Sequence, residues 1–268
     1  MKSRRTLRVA VAGLAAAAML FSFSAFSAPV ADGAKATHDN ASNEHSGKNA
    51  EVTVYLTRHG KTWLNETGRM QGWSDSPLTA SGELDATHLG LGLARAGVKF
   101  KAAYSADMLR HFETASLALG ALGYKGEAVR DERLREVSFG KFEGATQAEV
   151  FAAVKPYLTG TDVKSYLSAI VKANGDSPLP AETLDQVGAR ATAALNDIAA
   201  AQAKRGGGNV LVVSSGITIV AALQALGADT SSLTAGIANA AVSKLTYKNG
   251  TWTVVTMNDT SYVEAGAK

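Results

Sequence analysis

Two apolar runs rich in β-branched residues, each stopped by a short polar turn, set the fold. "VTVYLT" (52–57) ends at Arg58-His59-Gly60, and "VLVVSS" (210–215) ends at Gly216. Runs apolar on both faces read as strands buried on both sides of a sheet. The segments between them read mostly as helices. Thr79 suits an N-cap, and Gly82, Ala86, Leu89 and Leu93 repeat at spacings of four, three and four. "AAYSA" (102–106) reads as a short strand. Asp107 then suits the cap of a second helix, with Met108, Phe112, Ala115, Leu119 and Leu122 on one face. "ETLDQVGARATAALNDIAAAQAKR" reads as a long helix with Leu184, Val187, Ala191, Leu195 and Ile198 inward. "SKLTYKNGTWTVVTMND" reads as a hairpin, Asn249-Gly250 suiting a type I′ turn. Alternating strands and helices predict an α/β three-layer sandwich with a mostly parallel central sheet and an antiparallel edge. Ligands of such sheets bind at the carboxyl ends of the strands. Three loops leave those ends here: 57–60, 105–107 and 214–216.

The first 28 residues are different in kind. "MKSRRTLR" is basic, "VAVAGLAAAAMLFSFSAF" is apolar, and Ala25 and Ser27 offer small side chains for cleavage. This is the pattern of a secretory signal at 1–28, an uncleaved anchor being the alternative. The expected destination is the periplasm or the exterior, with no membrane attachment after cleavage. Residues 29–50 are polar and read as a disordered linker, in which His38 and His45 are solvated. The net charge of +3 includes four cations of the leader, and the rest carries −1. Such a body has no electrostatic footprint for nucleic acid. With no cysteine, neither disulfides nor thiolate chemistry is available. The folded domain is expected over 51–265. Within it, 145–181 is the least patterned stretch and reads as small helices forming a cap that carries specificity. Lys155, Lys164 and Lys172 there read as a solvated face. Oligomeric state is left open.

The chemistry concentrates after the first strand. Arg58 offers a planar fork suited to phosphate. His59 can attack phosphorus when its other nitrogen is held by a backbone carbonyl. Gly60 permits close backbone approach. The stretch "LTRHGKTWLNETGRMQGWSDSPLTASG" resembles the histidine phosphatase superfamily, also called phosphoglycerate mutase-like. The resemblance continues through "AAYSADMLRHFETA", "LREVSFGKFEG", "AETLDQVGARATAAL", "VLVVSSGITI" and the hairpin, over roughly 51–262 in unbroken order. It implies a phosphoglycerate mutase-like fold and a role for each matching position. His59 would take the phosphoryl group as a phosphohistidine. Arg58, Asn65 and Arg110 would hold phosphate oxygens. Glu136 would give a proton to the leaving oxygen, with Glu143 as a rival acid. Gln71 and Gly72 would border the site. No metal or cofactor is implied, and the partner is a small phosphorylated substrate.

One position departs from the pattern. The turn after the late strand normally reads Ser-His-Gly in the resembled family, and its histidine binds the phosphate. Here that position is Ser215, followed by Gly216. What remains is a hydroxyl and the N–H groups of the following helix, an anion site in itself. Losing one preorganised group costs on the order of 100- to 1,000-fold in rate. His111 stands where the family usually has a small residue, and could approach the pocket beside Arg110. Three readings follow. The first is an exported phosphatase acting on phosphomonoesters. The second is a weakened relative that binds phosphorylated ligands or a partner. The third is a mutase, which "FGKFEG" and export disfavour.

Overall fold

A computed structural model describes residues 50–268. The expected leader at 1–28, and the expected linker apart from Ala50, lie outside the described residues, as do His38 and His45. Strand β1 (Val52–Arg58) is followed by the short helix α1 (Trp63–Glu66), α2 (Ala80–Arg95), β2 (Phe100–Ser105) and α3 (Leu109–Leu122). A two-residue β3 (Val129–Arg130) leads to α4 (Gln147–Val154), α5 (Val163–Asn174) and α6 (Leu184–Lys204). The chain closes with β4 (Gly208–Ser214), α7 (Gly216–Ala225), β5 (Val242–Lys248), β6 (Thr251–Asp259) and α8 (Ser261–Gly266). No helix among the described residues is long and apolar enough to cross a membrane.

The six strands lie in the order β3-β2-β4-β1-β5-β6. The first four are parallel, while β5 runs antiparallel to β1 and β6 to β5. Asn249 and Gly250 both have positive φ (52° and 82°), as a type I′ turn requires. Alternation along the strands feeds two cores. Val52, Val54 and Leu56 of β1, with Val210 and Val212 of β4, pack with α6 and α7. Tyr55, Leu211 and Val213 pack with α2, α3 and α8. Each such Val or Leu, fully buried, contributes roughly 1.5–3 kcal/mol. This is the three-layer α/β arrangement the sequence predicts. A third cluster joins the small helices α4 and α5 to Val137, Phe139 and Phe142 and to Leu184 and Val187 of α6.

One expectation is corrected. Asp107 does not cap α3; the cap position is Met108, which makes no side-chain cap. Asp107 instead accepts from Arg135, Nε at 2.7 Å and Nη2 at 2.5 Å, because a bidentate charged pair outcompetes a single amide. The last helix, α8, covers α2. The helices meet backbone to backbone: a Cβ on Gly92 would collide with the Tyr262 carbonyl, and one on Gly266 with that of His88.

Register positions the site. Arg58 pairs with Ser214, and Ser105 with Val213. The loops after β1, β4 and β2 therefore leave the sheet side by side at one end.

Candidate active site

His59 sits where β1 ends, its backbone N–H donating to the Ser214 carbonyl at 3.0 Å. Its ring Nδ1 lies 2.8 Å from the Gly60 carbonyl. A carbonyl only accepts, so Nδ1 carries the proton and Nε2 keeps a lone pair. Nε2 has no hydrogen-bond partner among the described residues. His59 is 3% exposed and lines the main cleft. Burial, then Arg110 and Arg58, push the imidazole well below its ordinary value, with the Gly60 carbonyl opposing. The result is a neutral, oriented imidazole. Asn239 Nδ2 holds the His59 carbonyl at 2.9 Å, and Thr114 Oγ1 accepts from Gly60 N at 2.9 Å.

The two arginines are used differently. Arg58 Nη1 donates to the Ile237 carbonyl at 2.5 Å, and its buried Nε has no partner among the described residues. Burial draws the Arg58 guanidinium below its usual value; Glu136 opposes this and Arg110 adds to it. An anion beside Arg58 would offset that cost. Arg110 is fully buried and grips the 72–75 loop: Nη2 to the Gly72 carbonyl at 2.8 Å, Nη1 to the Ser74 carbonyl at 3.1 Å and to Asp75 at 2.9 Å. Its Nε has no partner among the described residues. Arg110 pairs with Asp75 and not with Glu136.

The rival acid Glu143 has another task. Its carboxylate accepts from the backbone N–H groups of Gly72 (3.1 Å), Trp73 (2.8 Å), Ser74 (2.8 Å) and Phe139 (2.9 Å). Gly72 is enclosed by this arrangement, since a Cβ there would strike the Val137 carbonyl and the Glu143 carboxylate. Asn65 is fixed from below. It forms a capping box with Thr62 on α1, and its Nδ2 donates to Gln71 Oε1 at 3.3 Å. Gln71 in turn accepts from Thr62 Oγ1 at 2.5 Å and donates to Ser76 Oγ at 3.1 Å.

Glu136 is docked on the start of α7. Oε2 accepts from Ile217 N at 3.1 Å; Oε1 accepts from Thr218 N and Thr218 Oγ1, both at 3.0 Å, and from Val137 N at 2.9 Å. Its main chain is held by Arg190 of α6. That guanidinium donates to the carbonyls of Arg133, Arg135 and Glu136 and forms two bonds with Glu182. Sequence reasoning did not single out Arg190; the only signal was an arginine on the inward half of a long helix.

Ser215 and His111 meet. His111 Nε2 lies 2.7 Å from Ser215 Oγ, both residues are fully buried, and the rings of His59 and His111 stand 5.3 Å apart at 87°.

A cleft of about 1640 Å³ opens over these groups. Arg58, His59, Asn65, Gln71, Glu136 and Gly216 line it, while Gly72, Arg110 and Ser215 are outside its lining. Sequence reasoning missed two further parts. Arg69, two residues before Gln71, also lines the cleft, with Nη1 on the Gly144 carbonyl at 2.8 Å. The loop after α7, residues 228–237, forms a second wall opposite α4 and α5. Trp63 (56% exposed) and Trp73 (41%) are outside this lining.

Comparisons with known proteins agree on one family. The model of the histidine phosphatase superfamily (branch 1) matches residues 54–260. A probable phosphoglycerate mutase GpmB of Proteus mirabilis (strain HI4320) is 29% identical over 204 residues, 75% of this chain and 87% of that protein. The crystal structure of a phosphoglycerate mutase from Bacillus anthracis str. Sterne superposes with a TM-score of 0.76 at 37% identity, covering 83% of this chain and 99% of that one. A phosphoserine phosphatase from Entamoeba histolytica shares the fold at 20% identity, with a TM-score of 0.60 over 79% of this chain and 99% of its own.

Proposed function

Because this chain belongs to the histidine phosphatase superfamily, branch 1, we propose that it is an exported phosphatase cleaving phosphomonoesters through a phosphohistidine at His59. The carrying observation is the His59 ring itself, with Nδ1 on the Gly60 carbonyl, Nε2 unpartnered and its affinity for a proton lowered. In the first step the Nε2 lone pair forms a bond to phosphorus as the ester P–O bond breaks. Protonated Glu136 gives its proton to the departing oxygen. Water then attacks phosphorus, the P–N bond breaks, and Glu136 takes the proton from that water. Arg58 and Asn65 hold the phosphoryl oxygens, and Arg110 adds charge while fixing the 72–75 loop.

The cleft favours a single phosphate. Its cationic side chains are Arg58 and Arg69, and Asp162 and Asp229 stand among them. A bisphosphorylated sugar acid carries several negative charges and needs more cations than this. Phe139, Phe151, Tyr166, Ile217 and Val220 supply apolar wall instead. This supports a phosphate ester with a partly apolar body over the mutase reaction that the similar proteins' names describe. Ser215 alone favours the second reading, a phosphate-binding relative with little turnover.

The test compares wild type with His59→Ala on p-nitrophenyl phosphate and a panel of alkyl and aryl phosphates. Phosphate release should vanish in the variant, and a phosphohistidine should be trapped by acid-free quenching of the wild type. Equal turnover in both proteins would overturn the covalent route. Conversion of 3-phosphoglycerate to 2-phosphoglycerate would restore the mutase. Export rests on the first 28 residues and is tested by fractionation and the mass of the mature chain. A full-length chain found only in the cytoplasm would refute it.

A further inference from the structure

Ser215 occupies the N-cap of α7 with extended backbone (φ −126°, ψ 164°), yet its side chain makes no cap. A serine there ordinarily accepts from the second or third amide of the helix. Here those amides, of Ile217 and Thr218, are taken by the Glu136 carboxylate. Ser215 is thereby released from the usual duty of its position. Its one hydrogen bond is to His111 Nε2, at 2.7 Å.

The direction of that bond follows from what surrounds it. His111 Nδ1 is buried and has no partner among the described residues. Were the proton on Nδ1, the fold would bury an orphaned N–H, which is rarer than an under-used acceptor. With the proton on Nε2, His111 donates to Ser215 Oγ and Nδ1 is a bare lone pair. The Ser215 O–H is then free to donate elsewhere. Ser215 lies between Ser214, which pairs with Arg58 across β1 and β4, and Gly216, which lines the cleft with His59. The His111 ring meets the His59 ring edge to face, 5.3 Å between centroids.

We infer that His111, reaching in from α3, is the second imidazole of this site, and that it acts as a positioning residue which aims the Ser215 hydroxyl at the phosphoryl group carried by His59. The inference rests on the phosphatase reading above. Burial, then Arg110 and His59, keep His111 well below the ordinary imidazole value, so it works as a neutral donor. Positions 111 and 215 form one unit, two fully buried side chains joined by that hydrogen bond. This explains how the pocket can work without histidine at 215.

The test uses the full chain as wild type, His111→Ala, Ser215→Ala, the double alanine variant, Ser215→His, and the exchange His111→Ser with Ser215→His. Each is measured for kcat and KM on p-nitrophenyl phosphate, affinity for vanadate, and melting temperature. Either alanine change should lower kcat on the order of 100-fold with KM changed only a few-fold, as expected for a group acting on the transition state. The double variant should lose no more than either single one. Ser215→His alone should fall below wild type, and the exchange should recover most of the rate. Losses that multiply in the double variant, or a Ser215→His protein as active as the exchange, would refute the unit. If His111→Ala does not fold, ¹⁵N spectra of the wild type decide the matter: an Nδ1–H tautomer of His111, or no response of its ring to vanadate, refutes the inference. A wild type that binds vanadate without turnover sinks the phosphatase reading by itself. Vanadate affinities across the same set then judge the pair, equal values counting against it. Absence of both binding and turnover overturns both.

Discussion

Glu136 shows what one side chain is asked to do here. Its carboxylate receives three donors from the first turn of α7 and one from Val137, and it faces the cleft from that anchorage. Glu136→Gln keeps the size but cannot deliver the same proton. We expect kcat/KM, which covers the transfer to His59 and not the later attack of water, to fall by about 100- to 10,000-fold on alkyl phosphates. The loss on p-nitrophenyl phosphate should be much smaller, because that leaving group departs without a proton. Equal losses on both would show that Glu136 matters for shape alone. His59 sets the pH behaviour. Its folded value lies well below 6.5, and the neutral ring is the nucleophile. Activity should therefore persist as pH falls through 6.5, and the acid limb of kcat/KM should lie below the ordinary imidazole range. A limb centred at 6.5 would contradict the burial described. At this scale the sequence was informative where a motif is contiguous: Arg58, His59, Asn65 and Gln71 are neighbours along the chain and in the cleft. It could not show that Arg110 spends both Nη groups on the 72–75 loop, or that Glu143 gathers four backbone amides. Both depend on contacts between segments far apart in the chain.

Elements carry these residues into place, and α6 carries more than its packing face. Arg190 clamps the 133–136 segment through three carbonyls and is itself held by Glu182, which also accepts from Ser138 N at 2.9 Å. Arg190→Ala would leave the Glu182 carboxylate half-buried and unpaired, at a cost of roughly 2–4 kcal/mol. Chemical denaturation should show that loss. Because Glu136 would shift with its segment, kcat should drop as well, although Arg190 is outside the cleft lining. Unchanged activity in a destabilised variant would separate the clamp from the chemistry. The sheet, its long helices and the Asn249-Gly250 turn were legible because each has its own period or turn signal. β3 was not, being only two residues long. Nor was α8, whose six residues have too little pattern to stand alone. Its place is set by the glycines where it meets α2.

For the molecule as a whole, His59 and His111 are linked to stability. Both have folded values well below 6.5, caused first by burial. Below 6.5 the unfolded chain binds protons at these rings that the native state refuses. Stability must then rise with pH through this window and fall as pH drops from 6.5 toward 5.5. Urea midpoints in that interval should decline, and His111→Ala should flatten the decline; a midpoint independent of pH would mean that these rings stay accessible to protons. The cleft also belongs to this scale. One wall, from α4 and α5, was expected in the 145–181 segment. The other, at 228–237, has no periodicity to betray it and is assembled only when the chain returns from α7 to β5. The contact between His111 and Ser215 reaches furthest. These residues are 104 positions apart in the chain yet share one volume. On the inference above the two positions are epistatic: the cost of a change at either one depends on the residue at the other.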